Sequence, residues 1–373
     1  MRSDKTLCIL GIRGVPAQHG GFETFAEHLS LYLVAKGWDV IVYCQEDGYA
    51  GPAREDVWRG VRRVNIPVSK AGALGTIQFD WRSIRHVLAS GHRMVLTLGY
   101  NTASFCLPFR LRGIRNLINM DGIEWRREKW RPHERAWLWL NERCGCWLGD
   151  HLVADHPEIA NHLAMLVSRD KIATIPYGAT EVTSSDSGRL DAFGLAPGLF
   201  ATVIARPEPE NSVLEIVRAF SRKRRGIKLV MLGHYQPELN PFHKAVLAAA
   251  SSEVIFPGAI YDQAIVQALR FFCCLYLHGH RVGGTNPSLV EALGAGNAVI
   301  AHDNCFNRWV AGPEAAYFAD EEECARLFDR LLQDYDALEA MRIASRKRFI
   351  ERFTWEQVLT EYENLLLKWY PTN

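Results

Sequence analysis

The sequence predicts an α/β protein made of two Rossmann-like halves, each a parallel sheet covered by helices on both faces. Three observations predict this fold. Short apolar runs alternate with amphipathic helical segments, the alternation stops at the Ser-rich stretch TSSDSGRLDAFG (183–194) and then restarts, and 373 residues suit two domains better than one. In such sheets ligands bind outside the carboxyl ends of the strands, so two halves that face each other would hold one ligand in the cleft between them.

The first half contains six apolar runs with the composition of buried strands. The helix after the first run begins near Gly21, because apolar residues from Phe22 to Leu33 recur at helical spacing, and Gly37 ends it. The runs are TLCILGI (6–12), DVIVYC (39–44), RVNIPV (63–68), MVLTLGY (94–100), NLINMDG (116–122) and HLVADH (151–156). Because strands and helices alternate, we expect a parallel sheet within a first domain that covers residues 1–182.

The second half repeats this pattern after the Ser-rich stretch, which we interpret as the linker. One of its helices runs from Val213 to Arg222, and the tail WEQVLTEYENLLLKWY (355–370) is strongly amphipathic. Its five predicted strands are LFATVIAR (199–206), IKLVMLG (227–233), EVIFPGA (253–259), CCLYLHG (273–279) and NAVIAHD (297–303). We expect a second domain over residues 195–354.

Charge and composition exclude several classes of protein. The net charge is +1, whereas a dedicated nucleic-acid-binding protein would be strongly basic. No run reaches the ~18 apolar residues of a membrane span, and MRSDKTLCILGIRG (1–14) has no long apolar run before a cleavage site, so we expect neither a span nor a signal peptide. The nine cysteines form no CxxC pair, which favours reduced core thiols in a cytoplasmic protein.

Two glycine-rich turns, one in each half, precede helices. In LHGHRVGGTNPSLVEAL (277–293), Asn286 is a good N-cap and Pro287 suits the first position of a helix that runs from Ser288 to about Ala295. A helix start with free N–H groups and a positive dipole end attracts phosphate. GIRGVPAQHGGFE (11–23) is similar, and it is neither a P-loop nor a G-x-G-x-x-G motif. Both turns are compatible with plain tight turns, and together they also suggest a diphosphate held in the cleft.

Five segments resemble glycosyltransferase family 4, whose members are retaining enzymes with the GT-B fold, and within it a branch of bacterial rhamnosyltransferases of cell-surface polysaccharide synthesis. The segments are GIRGVPAQHGGFETFAEHL (11–29), NMDGIEWRREKW (119–130), HLVADHPEIANHL (151–163), ARPEPEN (205–211) and GGTNPSLVEAL (283–293), in the expected order. The resemblance implies an N-terminal acceptor domain, a C-terminal domain that binds a nucleotide sugar, and a C-terminal helix (355–373) that returns to the N-terminal domain.

The resemblance assigns the donor site residue by residue. Glu291 ends the family's E-x7-E motif and would accept hydrogen bonds from the nucleotide ribose, while the motif's first glutamate falls on Gly283. The family's basic pair for the diphosphate falls on Arg206 and Asn211, so the arginine is kept and the lysine is not. The expected donor-binding residues are Gly20, Gly21, Arg206, Gly284, Thr285, Asn286, Pro287, Ser288 and Glu291. Arg206 and the helix start must then neutralise more of the diphosphate charge.

On the acceptor side, the family's active-site histidine falls on Asp121, and Glu124 follows it closely. Asp121 would orient the acceptor hydroxyl or stabilise positive charge at the anomeric carbon of the sugar. The alternative is that Asp121 and Glu124 are loop acids paired with Arg126 and Arg127. The expected catalytic residues are Asp121, Arg206 and Glu291.

The resemblance implies transfer with retention, in which the departing phosphate oxygen takes the proton of the acceptor while Arg206 and the helix starts stabilise the leaving group. A second mechanism uses Asp121 or Glu124 as the general base of an inverting attack. Asp334 and Asp336 spell the D-x-D motif of another glycosyltransferase fold, but they lie in or between amphipathic helices and far from any strand end. We therefore predict no metal and no other cofactor.

By resemblance, the donor is dTDP-rhamnose and the acceptor is a lipid-linked saccharide of lipopolysaccharide or capsule assembly at the cytoplasmic face of the inner membrane. FRLRGIRN (109–116) and EWRREKWRPHERAWLWL (124–140) concentrate cations interleaved with tryptophans, and they would dock the protein on that membrane, or the tryptophans are core residues behind a charged face. The cations are Arg110, Arg112, Arg115, Arg126, Arg127, Lys129 and Arg131, and the tryptophans are Trp125, Trp130, Trp137 and Trp139. Two other functions stay open, a nucleotide-sugar epimerase and a non-catalytic nucleotide-sugar-binding protein. His278 and His280 are interpreted as ordinary loop histidines.

Overall fold

The computed structural model describes residues 5–18, 20–48, 50–70, 72–127 and 129–371. The chain divides into two compact units. The first runs to Pro176 and takes in the C-terminal helix, and the second covers Tyr177–Thr354. Both units are α/β, and the two-part parallel-sheet architecture predicted from the sequence is confirmed.

The first unit is built on an eight-stranded sheet. Its strands are β1 Thr6–Leu10, β2 Asp39–Asp47, β3 Arg54–Trp58, β4 Val61–Val68, β5 Met94–Leu98, β6 Arg115–Asn119, β7 His151–Ala154 and β8 Ile172–Thr174. Its first five helices are α1 Gly21–Ala35, α2 Gly72–Ser90, α3 Leu107–Leu111, α4 Pro132–Leu148 and α5 Pro157–Ala164. The strand order is β3-β4-β2-β1-β5-β6-β7-β8, and β3 runs antiparallel to β4 while the other pairs are parallel.

Hydrophobic periodicity accounts for most of these elements. On α1 the predicted face is buried at Phe25, Ala26, Leu29 and Leu33, which pack against the sheet. Strand β3 was not predicted, because its sequence REDVW is charged and exposed. It is an edge strand held by its hairpin with β4, and charge on an edge strand discourages pairing with other chains.

The second unit is built on a six-stranded parallel sheet with the order β11-β10-β9-β12-β13-β14. Its strands are β9 Phe200–Ile204, β10 Lys228–Leu232, β11 Val254–Gly258, β12 Leu275–His278, β13 Val299–His302 and β14 Ala316–Phe318. Its helices are α6 Val213–Ser221, α7 Pro241–Ala248, α8 Gln263–Phe271, α9 Pro287–Gly294, α10 Cys305–Ala311, α11 Glu321–Leu331 and α12 Tyr335–Arg352. All five strands predicted for this half are present, and the short β14 is added at the edge.

The C-terminal helix α13 (Trp355–Trp369) belongs to the first unit, as predicted. The Asn119 side-chain amide at the end of β6 donates to the Tyr362 hydroxyl (2.8 Å), and the Thr6 backbone N–H donates to the Tyr370 hydroxyl (2.8 Å). The helix therefore anchors both a central strand and the end of β6. Among the described residues, no helix combines the length and the hydropathy that a bilayer-spanning segment needs.

The boundary between the units differs from the predicted one. We placed the end of the first domain at residue 182 and a linker at residues 183–194. In the structure the second unit begins at Tyr177, and the Val182 backbone N–H donates to the Gly294 carbonyl (2.9 Å). The Ser-rich stretch contains a 3-10 turn, and its Leu190 is fully buried in the core of the second unit. This polar stretch is therefore part of the second unit rather than a linker.

Candidate functional site

In the second unit, the predicted donor residues lie where the strand order reverses. Strands β9 and β12 are neighbours, and the chain leaves them toward opposite edges of the sheet, which is the place where open α/β sheets bind ligands. Arg206 follows β9, and residues 279–286, which we call the glycine loop, follow β12. Arg206 and the glycine loop, the two predicted features of the donor site, therefore both lie at the carboxyl ends of two neighbouring central strands.

Arg206 is available to a ligand. Its side chain is 66% exposed, and Glu208 approaches it no closer than 3.9 Å. The residue's carbonyl accepts a hydrogen bond from the side chain of Asn211 (2.8 Å). Asn211 is itself buried, so the residue at the position of the family's lysine fixes the turn after β9 and does not face solvent.

The start of α9 differs in one respect from the prediction. Asn286 is the N-cap, as predicted, and its side-chain oxygen accepts from the Ser288 N–H (3.0 Å). The N–H groups of Leu289 and Val290 both donate to the Asn286 carbonyl (3.1 and 3.2 Å), and Pro287 has no N–H. The prediction of free N–H groups at this helix start is therefore wrong for residues 287–290. The positive end of the helix dipole remains.

The helix start is held to the sheet through Ser288. Its hydroxyl donates to the Ile204 carbonyl at the end of β9 (3.1 Å) and also hydrogen-bonds with the Tyr276 hydroxyl of β12. Thr285 in the glycine loop is buried. Of the predicted donor residues in this segment, Thr285 and Ser288 thus fix the geometry of the loop and helix, which leaves Gly284 and the dipole for contact with a ligand.

Glu291 in the second turn of α9 pairs with Arg270, the last-turn arginine of α8, through a short hydrogen-bonded ion pair. The Arg270 side chain is 6% exposed and the Glu291 side chain 36% exposed, so the carboxylate has a buried partner and an open side. Glu291 is therefore half-buried. Sequence reasoning missed Arg270, because a contact between two helices leaves no local signal.

Gly283 has a backbone φ of +142°, a conformation that side chains rarely adopt. The loop geometry thus requires glycine where the family has the first glutamate of its motif. His278 ends β12 and is buried, not a loop residue as we interpreted it, and neither of its ring nitrogens has a hydrogen-bond partner among the described residues. Burial and the nearby His280 hold the pKa of His278 well below its usual range, so it brings no positive charge to the site.

In the first unit, Gly20 and Gly21 lie at the start of α1, and Gly20 provides no side-chain cap. Two acids on α1 hold the preceding turn, because Glu23 accepts from the Arg13 N–H (3.2 Å) and Glu27 from the Ala17 N–H (2.6 Å). This turn follows β1, whose neighbours β2 and β5 lie on either side of it at the first sheet's own reversal point. Sequence reasoning missed the two acids.

Asp121 lies two residues beyond β6 and adopts φ +52°, in the left-handed region. Its backbone N–H donates to the Asn119 side chain (3.0 Å), which also binds Tyr362 of α13, so the C-terminal helix supports this turn. Burial and, next, the Glu124 carboxylate raise the pKa of Asp121 to about 6. A carboxyl group at a strand end whose pKa is raised in this way is typical of a functional site.

Glu124 is less available than Asp121. Its carboxylate accepts from Arg127 (2.9 Å) and from the Trp130 indole (3.3 Å), and Lys129 lies 3.9 Å away. Its backbone N–H donates to the Tyr100 hydroxyl (2.9 Å). The pairing of Glu124 with Arg127 is the alternative that the sequence left open, and it makes Glu124 a weak candidate for a general base.

The described residues hold no group of three or more His, Cys, Asp or Glu side chains that could bind a metal ion. Asp334 caps α12 by accepting from the Ala337 N–H (2.9 Å), and Asp336 lies in the first turn of that helix. The D-x-D sequence therefore has a local structural role at a helix start. None of the nine cysteines, all of which lie in the described part of the chain, is joined in a disulfide.

Two family models match the chain. Residues 197–348 match glycosyl transferases group 1, and residues 4–180 match a domain of unknown function, DUF1972. A comparison with curated proteins gives no match.

Solved structures resemble the whole chain. Sucrose-phosphate synthase from Thermosynechococcus elongatus has a TM-score of 0.81 at 16% identity, with 98% of each chain covered. HepE from Anabaena in complex with UDP has a TM-score of 0.75 at 12% identity, covering 98% of this chain and 100% of that one. A UDP-forming trehalose-phosphate synthase from Burkholderia xenovorans in complex with glucose-6-phosphate has a TM-score of 0.74 at 10% identity, with 98% and 100% covered. At these identities the likeness shows a shared fold.

Proposed function

We propose that this chain, a glycosyltransferase of the GT-B type whose residues 197–348 form a glycosyl transferases group 1 domain, transfers L-rhamnose from dTDP-rhamnose to a lipid-linked saccharide in surface polysaccharide assembly, with retention. The observation that carries the nucleotide-sugar donor is that Arg206 and the glycine loop follow the neighbouring strands β9 and β12 at the reversal point of the second sheet, with Glu291 in the second turn of the helix that the loop precedes. HepE, which shares the fold, was solved with UDP, and this supports a nucleoside diphosphate as the leaving group. Rhamnose, the acceptor and retention come from the family resemblance.

The donor would bind with its diphosphate against Arg206 and the positive end of α9. A hydroxyl of the pentose of its nucleotide would donate a hydrogen bond to Glu291. Since the first amides of α9 are occupied, Arg206 supplies most of the charge that stabilises the departing diphosphate. Arg270 holds the Glu291 carboxylate in place. These residues bind and orient the donor, and the leaving phosphate oxygen accepts the proton of the acceptor.

Asp121 would act in its ionised form, either by orienting the acceptor hydroxyl or by stabilising positive charge at the anomeric carbon. Its raised pKa gives a test. Below pH 6 the carboxyl is neutral and loses both roles, so we expect kcat/KM to fall as the pH drops through about 6. Asp121→Asn should remove this acidic limb as well as lower the rate. A wild-type profile that is flat from pH 5 to 8 would contradict the assignment.

The same titration has a readout without substrate. A carboxyl whose pKa is raised by folding stabilises the folded state below its ordinary pKa of ~3.9, and that stabilisation is lost as the pH rises through about 6. As the pH rises from ~3.9 to about 6, the free energy of unfolding of the wild type should therefore decrease relative to that of Asp121→Asn. Urea unfolding at a series of pH values measures this difference. If the unfolding free energies of the two proteins change in parallel with pH, the pKa of Asp121 is not raised by folding.

We propose that no metal takes part. Activity should survive an excess of EDTA, and Asp334→Ala should affect the stability of α12, through loss of its cap, but not turnover. Loss of activity on chelation that Mn²⁺ or Mg²⁺ restores would disprove this part of the proposal.

An assay of a panel of nucleotide sugars, with and without a lipid-linked saccharide, separates the three functions. Release of nucleoside diphosphate that depends on the acceptor is expected, with dTDP-rhamnose the best donor. A new sugar isomer formed without acceptor would instead show an epimerase, and binding without turnover a non-catalytic protein.

A further inference from the structure

The first unit carries a group of large apolar side chains that its core does not use. They are Trp81 on α2, Leu107 and Leu111 on α3, and Trp137, Trp139, Leu140 and Trp147 on α4, all exposed, and we call them the apolar band. Leu111 is 77% exposed and Trp147 66% exposed. Large exposed apolar side chains gathered on adjoining helices mark an interaction site.

The three helices of the band adjoin. The Trp81 ring lies 5.6 Å from that of Phe105, which lies 6.5 Å from that of Trp137, and the Trp137 indole donates to the Asn101 carbonyl (2.8 Å). Phe105 belongs to the 3-10 turn 103–106, which continues directly into α3. The α4 helix packs on this turn, because the Asn141 side chain accepts from the Ser104 N–H (2.9 Å).

Helix α4 is apolar on two faces. Its inner face buries Leu138, Gly145 and Cys146, as an amphipathic helix of a globular unit should. Trp137, Leu140 and Trp147 recur at helical spacing on another face, which is exposed. Apart from the contacts of Trp137 with Phe105 and Asn101, this second face projects to the surface of the unit.

Cations flank the band. Arg110 and Arg112 on α3 are exposed, as are Arg131 and Arg135 near the start of α4. The Arg143 guanidinium lies 3.6 Å from the centre of the Trp139 ring. Near the end of α4, the Lys171 ammonium donates to the Cys146 carbonyl (2.6 Å).

We propose that the apolar band rests on the surface of an anionic phospholipid bilayer, with its tryptophans at headgroup level and its arginines against the lipid phosphates. Tryptophan prefers that level, arginine is attracted to anionic headgroups, and a helix that presents aromatic and basic residues together lies in the interface plane. The proposal rests on the proposed function only where it explains how the enzyme would reach a lipid-linked acceptor.

The contact keeps part of the expectation from the sequence, which already included Trp137, Trp139 and the arginines at 110, 112 and 131. It differs in two cations, because Arg127 pairs with Glu124 and Lys129 lies 3.9 Å from the same carboxylate. The structure adds the exposed side chains of Trp81, Leu107, Leu111, Leu140 and Trp147.

The test is co-sedimentation of the full chain with phosphatidylglycerol vesicles and with phosphatidylcholine vesicles, at low and high salt. The variant is Leu111→Ser with Trp147→Ser, and the matched control is Leu239→Ser with Tyr335→Ser, two comparably exposed apolar side chains of the second unit. We expect the wild type and the control to bind the anionic vesicles. The band variant should bind at least roughly tenfold more weakly, which corresponds to ~1.4 kcal/mol. Turnover of a short water-soluble saccharide acceptor should be the same for all three proteins.

Equal vesicle binding by the band variant, or no binding by the wild type, would overturn the proposal. Self-association of the wild type without lipid, lost in the band variant and unaccompanied by vesicle binding, would assign the band to a contact between two copies and would overturn it as well. Failure of the proposed function gives a different result. The wild type and the control would still bind the vesicles more strongly than the band variant, but none of the proteins would transfer sugar to an acceptor.

Discussion

Replacing Arg206 with alanine is expected to lower kcat/KM by on the order of 10- to 150-fold, the cost of a charge-assisted hydrogen bond of ~1.5–3 kcal/mol. The upper part of this range is favoured, because the N–H groups of residues 288–290 are occupied, His278 is neutral, and the Arg281 side chain of the glycine loop is already paired with Glu215 (2.6 Å). The measurement is steady-state kinetics with saturating acceptor.

Arg224→Ala is the matched control for Arg206→Ala, since it removes an exposed arginine of the same unit that lies away from the reversal point. It should leave kcat/KM unchanged. Arg206→Lys should recover part of the loss, because it restores the charge without the guanidinium geometry. Normal turnover by Arg206→Ala would show that the diphosphate binds elsewhere.

Glu291→Gln should weaken the binding of nucleoside diphosphate by a similar factor, because a charged acceptor is replaced by a neutral one. It should also destabilise the fold, since the buried Arg270 guanidinium loses its carboxylate. Breaking a buried ion pair costs ~3–5 kcal/mol, and the exposed side of Glu291 places the expected cost below that range. Calorimetric titration with UDP and dTDP, together with urea unfolding, measures the two effects separately.

The Arg270→Met variant distinguishes the direct binding of nucleoside diphosphate by Glu291 from the role of Arg270 in holding the Glu291 side chain in place. It keeps the Glu291 charge and removes the group that holds it, so the affinity for nucleoside diphosphate should fall less than in Glu291→Gln. Glu339→Gln, which breaks the exposed pair with Arg342 in the same unit, is the control and should change neither quantity appreciably. Wild-type affinity in Glu291→Gln would remove Glu291 from the donor site.

Local patterns in the sequence were sufficient for most of the elements and for the placement of the candidate residues after strands β9 and β12. The strands, α1 and the Asn286 cap follow from periodicity and capping chemistry, which depend on residues a few positions apart. The position of the site at a strand reversal follows from the α/β alternation, and the structure places Arg206 there.

The remaining features depend on contacts between distant parts of the chain. Arg270 and Glu291 meet because α8 and α9 pack together, and Leu190 is buried because a polar stretch folds over the second core. The Asn286 carbonyl accepts hydrogen bonds from two amides at once. The helix start that the sequence suggests as a phosphate site therefore already has these amides paired within the helix. The sequence leaves the tryptophans of α4 open between a membrane contact and a core position, since helical spacing does not distinguish an outward tryptophan from a core one.

Sugar transfer is tested most directly by following both products of one reaction by NMR, with dTDP-rhamnose as donor and a lipid-linked saccharide as acceptor. We expect nucleoside diphosphate and glycosylated acceptor to appear in equal amounts, with the anomeric configuration of the donor sugar retained in the product. Release of nucleoside diphosphate without sugar on the acceptor, or a product of inverted configuration, would contradict retaining transfer by this chain.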